Sequence, residues 1–193
     1  MQPYKIKPPS AALVFLTGNC GTEKTQLLQQ FINAASDKHV PCYGILAEQI
    51  LVFDEIQGYR VRDIRTDESR VLSTRTDKAA KETRQLIADS YLFDESSLMM
   101  ANKAFDNPPE NGVAIIDELG PLELNQKTGL FPILKKVISK EIQRGVIVVR
   151  PHFRLLLRKT LPFLPSAELT VRHQIEIPLV LGVLLELFCD VST

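Results

Sequence analysis

Apolar positions along the chain follow two spacings. Short runs rich in β-branched residues and closed by turn residues predict strands at 12–17, 43–47, 113–117, 146–150 and 167–171. Apolar residues at helical spacing predict helices at 24–36, 96–105, 129–143 and 178–189, with a shorter one at 154–160. Strands that alternate with helices imply an α/β fold, a mostly parallel sheet with helices on both faces. Residues 50–76 break this pattern. Tyr59, Val61 and Asp63 share strand spacing and Gln57-Gly58 reads as a turn, so an antiparallel ribbon inserted at one edge is expected there. Asn107-Pro108-Pro109-Glu110-Asn111-Gly112 is a loop before the third predicted strand. A single domain is expected over 1–193, with a flexible N-terminus over 1–10.

The first strand runs into LVFLTGNCGTEKTQLL, residues 13–28, a strand, a glycine turn and the start of a helix. Gly18, Lys24 and Thr25 meet the phosphate-binding pattern G-x-x-x-x-G-K-S/T, while Glu23 stands where its second glycine belongs. In such a loop, successive N–H groups and the positive end of the helix converge on one anion. The candidate phosphate-binding residues are therefore Gly18, Asn19, Cys20, Gly21, Thr22, Glu23, Lys24, Thr25 and Gln26. Lys24 is placed to reach the β- and γ-phosphates, and the Thr25 hydroxyl to ligate Mg2+. Glu23 works against this, since a carboxylate about 5 Å from a phosphate costs roughly 3 kcal/mol at an effective dielectric near 20. That corresponds to about two decades of affinity.

VAIIDELGPLEL, residues 113–124, is a β-branched run ending in two acids and a Gly-Pro break. This is the composition of a Walker B strand. Asp117 at its carboxyl end is placed to hold magnesium, and Glu118, pointing the other way, to orient or deprotonate an attacking water. In an open α/β sheet both motifs face one crevice at the carboxyl ends of the strands. Arg60, Arg62 and Arg65 on the ribbon, and Arg150 at the end of the fourth strand, are candidates for compensating phosphate charge; Arg150 is the best placed to stabilise the transferred phosphoryl group. His39, His152 and His173 have no acid or nucleophile at suggestive spacing and are assigned to loop or surface positions.

These two motifs, with YGILAEQ, GYRVRDIRTDESRVLS and YLFDESSLMMANKAF between them, resemble the P-loop nucleoside-triphosphatase family whose animal members are called cancer-related nucleoside triphosphatases. The resemblance covers residues 11–151, and its D-E-I/L-G-x-L/M-E-L box is met closely, with Gly120, Glu123 and Leu124. It implies a P-loop three-layer sandwich and slow, magnesium-dependent hydrolysis of nucleoside triphosphates with broad base tolerance, Asp117 serving the metal and Glu118 the water. The chain departs from the family at Glu23, at Gln26 where threonine is often repeated, and at Ala47 in place of threonine. The Walker A loop is to that extent degenerate.

Composition narrows the partners. Lysine plus arginine and aspartate plus glutamate each number 23, so no net field favours nucleic acid or a membrane surface. The apolar run near the C-terminus is interrupted by Glu176, Pro178 and Glu186, short of the roughly 20 residues a bilayer span takes. Three cysteines, Cys20, Cys42 and Cys189, lack metal spacing and suit a reducing cytoplasm. Cytoplasmic localisation and a nucleoside triphosphate ligand, ATP or GTP, are expected. Three functions share these features: an NTP hydrolase using Lys24, Thr25, Asp117 and Glu118; a nucleotide-binding or regulatory protein whose loop Glu23 has eroded; and a small-molecule kinase with Arg150, Arg154 and Arg158 in a lid.

Overall fold

The computed structural model describes residues 11–18, 23–76, 86–88 and 90–189. The expected flexible N-terminus, 1–10, and loop residues Asn19, Cys20, Gly21 and Thr22 lie outside the described residues, as does the Glu23 side chain.

The described elements run β1 (Ala12–Gly18), α1 (Glu23–Asp37), β2 (Cys42–Val52), β3 (Glu55–Asp63), β4 (Ser69–Arg75), β5 (Leu86–Ala88), β6 (Tyr91–Phe93), α2 (Glu95–Lys103), β7 (Val113–Leu119), α3 (Phe131–Ile138), β8 (Arg144–Val149), α4 (Arg154–Thr160), β9 (Ala167–Val171) and α5 (Ile177–Phe188). A π-helical turn, Leu122–Gln126, follows β7. Among the described residues the strands form one nine-stranded sheet in the order β5-β6-β4-β3-β2-β7-β8-β1-β9. The block β2-β7-β8-β1-β9 is parallel, and the remaining strands add to it antiparallel.

Strand β1 is buried along its length, and its alternation sorts side chains to the two faces. Leu13 and Phe15 join a core with residues of α2, α3 and α4, including Ala101, Leu134 and Leu157. Ala12, Val14 and Leu16 join one with α1 and α5, where Phe31 and Phe188 meet edge to face at 5.8 Å. The sheet therefore lies between two helical layers, as the strand–helix alternation implied.

The antiparallel region differs in detail from the expected ribbon. Its hairpin turns at Phe53 and Asp54, both at positive φ (49° and 63°), and not at Gln57-Gly58, which lie inside β3. Gly58 is needed in the strand because a Cβ there would meet the Ser73 carbonyl oxygen at 2.2 Å. The region also runs past residue 76 to include β5 and β6. The helix expected over 129–143 is shorter, since Lys140 at φ 62° turns the chain into β8.

Candidate active site

Three parallel strands deliver the site. Strand β1 ends at Gly18, where a side chain would not fit because its Cβ would lie 2.3 Å from the Val171 carbonyl oxygen on β9. Helix α1 begins at Glu23, so Lys24 and Thr25 sit in its first turn. Strand β7, between β2 and β8, brings Asp117 and Glu118 to the same end of the sheet, and Arg150 follows β8 directly.

Lys24 is buried, and its Nζ donates to the Gly18 carbonyl at 3.2 Å. The Thr25 hydroxyl lies 3.0 Å from Asp117 Oδ2 and 3.3 Å from the Ala47 carbonyl oxygen. The Ala47 N–H donates to the same Asp117 Oδ2 at 3.1 Å. Asp117 is itself 3% exposed, and burial, reinforced by the charge of Glu118, raises its pKa to about 7. The Ala47 N–H, the Thr25 hydroxyl and Lys24 pull the other way.

Glu118 accepts from Arg150 Nε at 2.6 Å. Glu123, in the π-helical turn, is buried and takes the Gly120 N–H on one oxygen and the Leu130 N–H on the other, both at 2.9 Å. Burial raises its pKa against those two bonds. It thereby ties the Gly-Pro break after β7 to the start of α3.

Gly18, Lys24, Thr25, Gln26, Asp117, Glu118 and Arg150 all line one cavity of about 950 Å3. Of the ribbon arginines, none lines the cavity: Arg60 is exposed, and Arg62 and Arg65 are engaged by other groups. Arg62 pairs with Glu48 and Asp67 and donates to Gln29, and Arg65 donates to the carbonyls of Ala104, Asp106 and Asn107. Arg154 and Arg158 both pair with Glu168. His152 is exposed but stands at the cavity rim, a place its sequence surroundings did not indicate. The structural role of Glu123 was also missed, although an acid between Leu122 and Leu124 in an apolar stretch was a visible signal.

Thr25 Oγ1 and Asp117 Oδ2 are hard oxygen donors 3.0 Å apart. Adjacent ligands of an octahedral ion with bonds of about 2.1 Å have a similar separation, so this pair suits magnesium. Among the described residues no three His, Cys, Asp or Glu side chains are grouped to hold a metal. A magnesium ion shared with substrate phosphates needs only one or two carboxylates. Among the described residues, no helix is long and apolar enough to cross a membrane.

The family model described as NTPase matches residues 13–161. The chain is 30% identical over 133 residues to the nucleoside-triphosphatase THEP1 of Saccharolobus solfataricus, an alignment covering 67% of this chain and 69% of that protein. Its fold is similar to the solution structure of a human cancer-related nucleoside triphosphatase, with TM-score 0.70, 21% identity and coverage of 90% of this chain and 97% of that one. It is also similar to the crystal structure of THEP1 from the hyperthermophile Aquifex aeolicus, with TM-score 0.69, 17% identity and coverage of 91% and 98%.

Proposed function

This chain belongs to the NTPase family, and from that premise we propose that it binds ATP or GTP with magnesium and slowly hydrolyses the terminal anhydride to diphosphate and phosphate. The observation that carries the reading is the meeting of Thr25 with Asp117, 92 residues apart in sequence, beside buried Lys24. Nothing in the packing of an apolar sheet requires a lysine and an aspartate there, and buried ionisable groups gathered with a hydroxyl on one cavity support a functional site.

Lys24 holds the β- and γ-phosphates, exchanging its contact with the Gly18 carbonyl for phosphate oxygens. Thr25 and Asp117 would hold a magnesium ion, which when bound would supply neutralisation of charge developing on the phosphates. Glu118 orients a water and accepts its proton as the water oxygen bonds to the γ-phosphorus and the bond to the bridging oxygen breaks. Arg150, beside Glu118, is within reach to stabilise charge on the transferred group. The diphosphate leaves with the bridging oxygen, and Glu118 returns its proton to solvent.

Calorimetric titration with magnesium–ATP tests the binding half. Lys24→Ala is expected to weaken affinity by about 10- to 100-fold, the loss of one charge-assisted contact. Unchanged affinity would remove Lys24 from the site. Glu23 in place of the loop glycine favours a second reading, a nucleotide-binding protein without turnover. That reading requires the natural protein to release no phosphate above background and Glu23→Gly to restore nucleotide affinity.

A further inference from the structure

The cavity extends well beyond the groups that a triphosphate and a water need. Past Glu118 it continues as an apolar arm, bounded by Ile56 and Tyr59 on β3, Leu72 on β4, Tyr91 and Phe93 on β6, and Leu122 in the π-helical turn. Its total volume, about 950 Å3, lies at the upper end for pockets that hold a small molecule. The Tyr59 and Tyr91 rings meet edge to face at 5.3 Å, which sets two aromatic surfaces along one side.

The arm's position matters as much as its chemistry. In a phosphate-binding loop the lysine reaches the β- and γ-phosphates, and the hydroxyl and Walker B carboxylate mark the metal between them. The γ-phosphate end of the nucleotide therefore points at Asp117 and Glu118. By strand order the arm, on β3, β4 and β6, lies across β2 from β7 and its Glu118, whereas Lys24 follows β1 on the other side of β7, so a second reactant in the arm would meet the γ-phosphate from the side away from Lys24. Apolar surface held open to water costs about 25 cal/mol per Å2, and hydrolysis does not use it. The acids that line the cavity beside it are each answered: Glu48 is paired with Arg62 at 3.4 Å, Glu118 with Arg150, and Glu123 with two backbone N–H groups. Such a lining suits a neutral molecule and discriminates against a phosphorylated one.

We propose that the arm binds a small neutral aromatic alcohol, whose hydroxyl takes the γ-phosphoryl group in place of water. This rests on the nucleotide reading above. The alcohol oxygen bonds to the γ-phosphorus, its proton passes to Glu118, and the bond from phosphorus to the bridging oxygen breaks. The products are the nucleoside diphosphate and a phosphate monoester, and the proton passes from Glu118 to solvent. Hydrolysis is then the slow reaction that remains when water occupies the acceptor's place.

The test incubates the full chain and magnesium–ATP with benzyl alcohol, 2-phenylethanol or tyrosol, following ADP, inorganic phosphate and phosphate ester together. With at least one alcohol, ADP formation is expected to rise about tenfold or more through positioning of the acceptor, to exceed inorganic phosphate, and to be matched by ester seen by mass spectrometry. Ile56→Glu, which puts a carboxylate into the arm, is expected to abolish the ester while phosphate release from water persists, and that persistence reports a folded protein. ADP equal to phosphate with every alcohol, or both falling together, overturns the transfer and leaves hydrolysis standing. No ADP with or without alcohol overturns the nucleotide reading and this proposal with it.

Discussion

Glu123 concentrates the residue-scale physics of this site. Its two carboxylate oxygens each satisfy a different backbone N–H, those of Gly120 and Leu130, so no neutral isostere serves both. In Glu123→Gln the amide nitrogen must face one of those donors, and a loss of about 1–3 kcal/mol in urea denaturation is expected for the orphaned group. The pH dependence has a definite sign. Because the folded pKa lies above the unfolded one, the unfolded state binds fewer protons between the two values. Stability from this group is thus full below the ordinary carboxylate range and is lost as pH rises through the raised folded value; Glu123→Gln should flatten that slope. A wild-type slope unchanged by the substitution would show that Glu123 is not the group responsible. In the sequence, Glu123 was legible as a member of the D-E box, but its partners were not, because they are backbone groups whose position depends on the π-helical turn.

Elements were read best where their periodicity was long. The α1 and α5 helices and the β1, β7 and β9 strands lie within a residue or two of expectation, since a buried strand or an apolar helical face repeats its signal. Strands β5 and β6 have three residues each, too few for an alternation to register. The hairpin between β2 and β3 was misplaced for a different reason. Positive φ at both turn residues favours Asn or Gly, and here the chain uses Phe53 and Asp54, while the nearby glycine serves strand packing. Phe53 is 98% exposed at φ 49°, so it carries backbone strain without burying its ring. Phe53→Asn is expected to raise stability by about 0.5–1 kcal/mol in thermal denaturation and to leave phosphate release unchanged. A destabilised variant would mean that the ring has a packing role.

At the scale of the whole molecule, function depends on topology more than on any one segment. Gly18 and Lys24, Asp117 and Glu118, and Arg150 belong to separate stretches of chain, and the order β7-β8-β1 gathers their strand ends on one edge of the sheet. That convergence was legible from strand–helix alternation together with the rule that ligands sit at the carboxyl ends of parallel strands. The apolar arm was not, because it is assembled from the antiparallel strands and the π-helical turn, whose mutual placement no local spacing encodes. The proposed role of Glu118 on this edge is that of the base in triphosphate hydrolysis. It is tested most directly by phosphate release from saturating magnesium–ATP, comparing the natural protein with Glu118→Gln. Turnover is expected to fall about 100-fold or more in the variant while magnesium–ATP still binds, the usual worth of a general base. Equal rates in the two proteins would contradict the assignment.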